Sequence, residues 1–138
     1  MSNVLMRKRS VSDLEFWKNG ADIRAHLTRF LMNEKNVPKR YTFVFTLPGI
    51  DLGRKLMEEI TAANTVYPTN ADELAQRRAH QNEAIVLCEQ IIQHLQWLVD
   101  TLPVRVISLE VLVELVNKEV ALLKAWRKKN RVFTDKQD

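Results

Sequence analysis

Glycine and proline are scarce in this 138-residue chain, with three and four residues respectively, and there is a single cysteine, Cys88. All-β folds place a Gly- or Pro-bearing turn about every 8 to 12 residues, so this scarcity predicts a few long helices with short connections. One cysteine cannot form an intramolecular disulfide, and no apolar run reaches the roughly 18 residues of a membrane span. Met1 to Ser10 is basic but is not followed by the apolar stretch of a secretory signal, so the expectation is a cytoplasmic protein.

Catalytic and metal-binding patterns are missing as well. Di-iron bundles need Glu-x-x-His pairs, which put a carboxylate and an imidazole one turn apart on one metal, and the chain has none. His80 and His94 share a predicted helix but lie about 20 Å apart along it, and His26 falls on another, so no metal is expected. Gly49 and Gly53 sit in Leu47-Pro48-Gly49-Ile50-Asp51-Leu52-Gly53-Arg54, without the Lys-Ser/Thr ending of a phosphate loop. Glu58 and Glu59 are adjacent and cannot face each other as an acid and base. Cys88, in an apolar run, reads as a small buried hydrophobe. The expectation is a non-catalytic protein without a cofactor.

What is present is helical periodicity and a divided charge. Hydrophobic residues make up 46% and charged residues 28%, proportions of one folded domain rather than a disordered chain. Ser12 and Glu15 read as a capping box, after which Phe16, Ile23, Leu27, Phe30 and Leu31 recur at helical spacing to about residue 33. Gly20 inside this helix costs about 1 kcal/mol relative to Ala. Polar, basic Asn33 to Arg40, with Pro38, reads as a linker. Tyr41 to Leu47 is β-branched and aromatic, but with no partner strand it reads as an extended lead-in or first turn of a helix from about Pro48 to Tyr67, with Ile50, Leu56, Met57, Ile60 and Ala63 inward. Asn70 and Glu73 form a second capping box, opening a helix from Ala71 to about Thr101 that Pro103 closes. Ser108 is the expected cap of a last helix to about Asn130, with Leu109, Leu112, Val116, Leu123 and Trp126 on one face.

The predicted fold is therefore all-α, an up-and-down antiparallel four-helix bundle. Residues 1–36 form an N-terminal basic segment and helix of open placement, 37–131 the bundle core, and 132–138 a tail. The four bundle helices either include the N-terminal one or require a break within residues 41–100.

The net charge is +4, and it sits at the two ends: residues 1–40 carry +5, residues 41–105 carry −3 and residues 106–138 carry +2. Lys124, Arg127, Lys128, Lys129 and Arg131 surround Trp126 at the end of the last helix, a composition suited to phosphate contact and base stacking. Cations in a last turn also offset the helix dipole, and Trp126 is in phase with Leu123, so capping and packing account for part of the pattern. Arg7-Lys8-Arg9, Lys39-Arg40 and Arg77-Arg78 are further clusters, and together they favour a polyanion partner. The other reading is a structural or protein-interaction bundle that binds no nucleic acid.

The order Pro38-Lys39-Arg40-Tyr41-Thr42, Ala62-Ala63-Asn64, a long Arg-bearing helix and Leu123-Lys124-Ala125-Trp126 resembles a family of four-helix-bundle proteins. That family includes the accessory variability determinant (Avd) proteins of diversity-generating retroelements and the proteins encoded in ribosomal RNA intervening sequences. The resemblance spans roughly residues 37 to 131. It implies a homopentameric basic bundle that binds RNA or an RNA/DNA hybrid and partners a reverse transcriptase during mutagenic retrohoming. Carried onto this chain, it implies nucleic-acid contacts from Lys39, Arg40, Arg77, Arg78, Lys124, Arg127, Lys128 and Arg131, beside Trp126 and Lys129.

Overall fold

The computed structural model describes residues 14–133. Four α-helices and no strand occur among them: α1 (Glu15–Met32), α2 (Leu47–Thr65), α3 (Ala71–Thr101) and α4 (Glu110–Lys128). Each packs antiparallel on its chain neighbours, and α1 closes the square against α4, so the N-terminal helix is one of the four. Gly20 of α1 lies against Met57 and Ile60 of α2, Ala63 of α2 lies near Arg77 of α3, Asn82 of α3 meets Arg127 of α4, and Phe16 of α1 meets Trp126 of α4. One core of Ile23, Leu27, Leu56, Ile60, Ile91, Leu98, Val116 and Leu123 runs through all four helices.

The connections are tighter than their composition suggests. Ser12, the expected cap of α1, lies outside the described residues, and Leu14 precedes α1 without a side-chain cap. After α1, Asn36 Nδ2 donates to Phe30 O at 3.0 Å, Lys35 N donates to Asn33 Oδ1 at 3.0 Å, and Val37 is buried. Two side-chain amides thus replace helix hydrogen bonds and turn the expected linker into a compact corner.

Tyr41 to Leu47 is helical rather than extended. A 3-10 turn (Lys39–Tyr41) and a π-turn (Thr42–Thr46) run directly into α2. Pro48 has no N–H to offer the Val44 carbonyl and its ring crowds it, which accounts for a widened turn just before it; Leu47 N bonds back to Thr42 O. Tertiary contacts hold the turn against its β propensity. Phe45 is buried against Trp97, 4.6 Å between ring centroids, and Thr46 Oγ1 donates to Leu31 O at 3.0 Å.

The capping box at α3 forms. Asn70 Oδ1 accepts from Glu73 N at 2.9 Å, and Glu73 Oε1 reaches back to Thr69 N at 2.8 Å, one residue before the cap. Ser108 does not cap α4. It lies inside a 3-10 turn (Val106–Leu109), and buried Leu109 occupies the cap position without a side-chain bond. Burial of Leu109 draws the chain into the tighter turn before α4 begins.

All three glycines lie on the α1–α2 contact. A Cβ at Gly49 would overlap Leu31 Cδ1 and sit 3.0 Å from the His94 ring; one at Gly20 would sit 3.0 Å from Met57 Sδ and Ile60 Cδ1. The interior also holds polar side chains on apolar stripes. Glu119 follows Val116 and precedes Leu123 on the buried face of α4, and its Oε1 accepts from Asn19 Nδ2 of α1 at 3.0 Å, while the same amide donates to Leu115 O at 2.8 Å. Glu119 Oε2 and Trp17 Nε1 have no partner among the described residues. Burial pushes the Glu119 carboxyl up to about 8, against smaller opposing effects of Asn19 and Lys118.

Two outcomes follow from this packing. Gly49→Ala gains about 1 kcal/mol of helix propensity but overfills a closed contact, and the net is a loss of about 2 kcal/mol by denaturant unfolding. For Glu119, the folded chain holds a proton that the unfolded chain releases from an ordinary carboxyl at 4.5. Its contribution is complete below about pH 4.5 and is lost as pH rises towards 8. In thermal melts from pH 5 to 9, Glu119→Gln is expected to lose this part of the pH dependence and to exceed wild type at pH 8.

Candidate nucleic-acid interface

The ten residues singled out in the sequence divide between two places. Arg77, Arg78, Lys124, Trp126, Arg127, Lys128, Lys129 and Arg131 gather where the start of α3 meets the end of α4. Lys39 and Arg40 lie beyond them along the bundle: neighbouring Phe45 packs on His94, which is roughly 20 Å along α3 from the Asn82–Arg127 contact. Arg40 there lies over the Tyr41 ring at 4.9 Å. The Arg7-Lys8-Arg9 cluster is outside the described residues.

Within the basic end the residues do different things. Arg77 is half-buried and closes α2: its Nε lies 3.2 Å from Ala63 O and 3.1 Å from Val66 O, and its Nη2 donates to Val66 O at 2.5 Å. These carbonyls have no intrahelical donor, so the guanidinium acts as a C-terminal cap. Burial lowers its pKa. Trp126 stacks on Phe16 at 4.0 Å and 10° between ring planes, with Arg77 over its ring at 5.7 Å, so it joins α1 to α4.

The end of α4 is fastened down. Gln81, fully buried on α3, exchanges two hydrogen bonds with Asn130, Nε2 to Oδ1 at 3.1 Å and Nδ2 to Oε1 at 2.6 Å. Phe133 stacks on Tyr67 at 4.8 Å, and its N–H donates to Pro68 O at 2.8 Å. Arg131 lies over the Phe133 ring at 4.9 Å. Residues 134–138 of the expected tail lie outside the described residues.

Arg78, Lys124, Lys128 and Lys129 are exposed, and Arg127 is half-exposed with Nη1 donating to Asn82 Oδ1 at 2.8 Å. Arg78 is one turn from Asn82 on α3, Arg127 and Lys128 stand three and four residues after Lys124 on α4, and Arg131 follows the helix with its guanidinium over the Phe133 ring. The two helices therefore share one basic surface. Ion pairs among the described residues fall elsewhere, at Arg54, Lys55 and Lys118. Lys128 and Lys129 close the last turn, where they also oppose the helix dipole.

The other titratable groups are held in the packing. His94 Nε2 donates to Phe45 O at 2.8 Å and is buried, while His80 Nδ1 is 2.9 Å from Glu59 Oε1. Burial pushes the Cys88 thiol up to about 12, with a smaller push from Glu89 and from Glu119, which is ionised at the alkaline pH where the thiol titrates. No three His, Cys, Asp or Glu side chains cluster as a metal site among the described residues, and none of the described helices is long and apolar enough to cross a membrane.

Sequence reasoning passed over Asn19, Gln81 and Glu119. The last had a signal, since it stands in register with Val116 and Leu123. It also missed the outward face of Phe43 and Leu47. No family model, curated protein or solved structure matches the chain.

The division between anchored and free cations is testable. Arg77→Ala leaves carbonyls of α2 without a donor and is expected to cost about 1–3 kcal/mol in unfolding experiments. Arg78→Ala, its exposed neighbour, should remain within about 0.5 kcal/mol of wild type.

Proposed function

We propose that this chain is a non-catalytic nucleic-acid-binding subunit that holds RNA or an RNA/DNA hybrid against the α3–α4 basic end. The observation that carries the reading is the surface of Arg78, Lys124, Arg127, Lys128, Lys129 and Arg131, whose charges are engaged by no carboxylate among the described residues. Cations spread over two adjoining helices suit a phosphate backbone, which presents a charge every few ångströms. Arg127 and Arg131 are partly ordered by Asn82 and Phe133, which lowers the entropy lost on contact. With Trp126 engaged by Phe16, the binding is electrostatic and tolerant of base sequence.

Service to a reverse transcriptase is the biological setting that the resemblance supplies. A bundle of this kind would concentrate template near the polymerase while leaving the chemistry to it.

The test is fluorescence anisotropy with structured RNA, RNA/DNA hybrid and duplex DNA at several salt concentrations. Replacing Arg127, Lys128 and Arg131 by Ala is expected to weaken binding at least tenfold at low salt. It should also lower the slope of log affinity against log salt by about 2. Unchanged affinity and slope, or no binding by the wild type at low salt, would instead support a protein-interaction bundle.

A further inference from the structure

A groove of about 460 Å³ runs between the end of α3 and the start of α4. Ile92, Leu95 and Val99 face Leu109 and Val113 across it, and Val106, 66% exposed, forms a lip. Glu110 and Glu114 line its edge and no Lys or Arg does. These two exposed carboxylates stand one turn apart on α4 and repel each other. Lys118, one turn further on, does not relieve them: its ammonium reaches Glu15 of α1 at 3.3 Å. Neither Glu110 nor Glu114 joins an ion pair among the described residues. An apolar groove with an uncompensated acidic rim selects an occupant that carries apolar anchors beside cations.

The chain itself supplies such a segment, attached close to that rim. Residues 1–13 lie outside the described residues, and within them Val4-Leu5-Met6 is followed directly by Arg7-Lys8-Arg9, with Asp13 the one carboxylate. The Lys118–Glu15 pair fixes the point of attachment, because it sets the start of α1 level with Lys118. From there Glu114 and Glu110 stand about 6 and 12 Å back along α4, and Val106 roughly 20 Å. Extended chain from Leu14 to Arg9 spans about 17 Å, to Arg7 about 24 Å and to Asn3 about 36 Å. The basic triplet thus reaches the two carboxylates, and the apolar triplet, farther from Leu14, reaches the groove at Val99 and Val106.

We infer that residues 4–9 of this chain seat in its own α3–α4 groove, with Val4, Leu5 and Met6 in the apolar cleft and Arg7, Lys8 and Arg9 against Glu110 and Glu114. Three cations facing two carboxylates remove the like-charge repulsion on α4, and exposed valines of the groove leave water. The short tether makes the contact intramolecular, at an effective concentration of about 1 mM, so a small interface suffices to hold it. Seated there, the segment straps the start of α4, which has no side-chain cap, onto α3. It also keeps Arg7-Lys8-Arg9 away from the basic end of the bundle. The inference stands on the groove and on the order of residues in the segment, and is independent of nucleic-acid binding.

Disulfide trapping on the full chain tests it. Asn3→Cys, beside the anchors, is paired with Val106→Cys on the lip of the groove. The comparison pairs it with Arg24→Cys, exposed on the side of α1 that meets Gly53 and about 15 Å along α1 from Leu14. Cys88, buried with its thiol pushed up to about 12, stays out of the exchange. In oxidised glutathione at low protein concentration, Asn3→Cys/Val106→Cys is expected to close within one chain about tenfold faster than Asn3→Cys/Arg24→Cys. Glu110→Lys/Glu114→Lys should remove that excess, as should Arg7→Glu/Arg9→Glu, and the two charge reversals combined should restore it. Hydrogen exchange on chains without added cysteines is the second measurement: amides of residues 4–9 should exchange about tenfold more slowly in wild type than in Glu110→Lys/Glu114→Lys. Circular dichroism should be unchanged throughout, since every substituted groove residue is exposed. Equal closure of the two cysteine pairs, amides that exchange alike in wild type and variant, or a double reversal without rescue would overturn the inference. Disulfides that join two chains would overturn it in favour of segments exchanged between copies, and protection of the groove only on adding a basic helical peptide in favour of a separate partner.

Discussion

The close approach of α1 and α2 governs much of this bundle, and it exists because Gly20, Gly49 and Gly53 all lie along that contact. Removing side chains at three positions lets the two helix backbones come near enough for Leu27, Leu31, Met57 and Ile60 to interlock. The same approach brings Thr46 to the last carbonyls of α1 and places His94 beneath Phe45 O. Each glycine costs helix propensity, about 1 kcal/mol, and dispersion contacts across the seam offset it. A residue read in isolation as a weak point of α1 is thus part of the reason α1 packs where it does.

Buried polar pairs then set the helices in register. Asn19 with Glu119 joins α1 to α4, Gln81 with Asn130 joins α3 to the end of α4, and His94 with Phe45 O joins α3 to the approach to α2. A slide of one turn would leave each of these groups buried without a partner, at a cost of about 1–3 kcal/mol apiece. Apolar stripes alone tolerate such slides. Glu119 is the most exacting member, since it is buried without a cation in contact and is held neutral.

Antiparallel packing also sorts the surface. Because α3 begins where α4 ends, two Arg- and Lys-bearing segments far apart in the chain merge at one end of the molecule. The opposite end collects Met32, Phe43, Leu47, Trp97, Val106 and Ile107, all substantially exposed. The basic charge of the C-terminal segment thereby becomes a directional property of the fold, with exposed cations at one end and exposed apolar side chains at the other, where Lys39 lines a hollow with Met32 and Leu47.

The helices from Glu15 and from Ala71, the Asn70–Glu73 cap and the all-α class were legible because they depend on local spacing and local hydrogen bonds. The inward faces of α2 and α4 were legible for the same reason. Tyr41 to Thr46 was ambiguous, since β propensity competed with burial of Phe45 on Trp97, a partner some fifty residues away. Ser108 misled, because a good capping residue was overruled by the burial of its neighbour Leu109. The basic residues were visible as types but not as roles: Arg77 and Arg78 are adjacent in sequence, yet the rotation of α3 turns one onto the carbonyls of α2 and leaves the other in water. The sequence by itself determined where helices form and which residue types line them, because those follow from contacts within a few residues. Only the tertiary structure decided which charges are anchored, which apolar side chains face outward and which polar ones are buried, because each depends on what another helix places opposite.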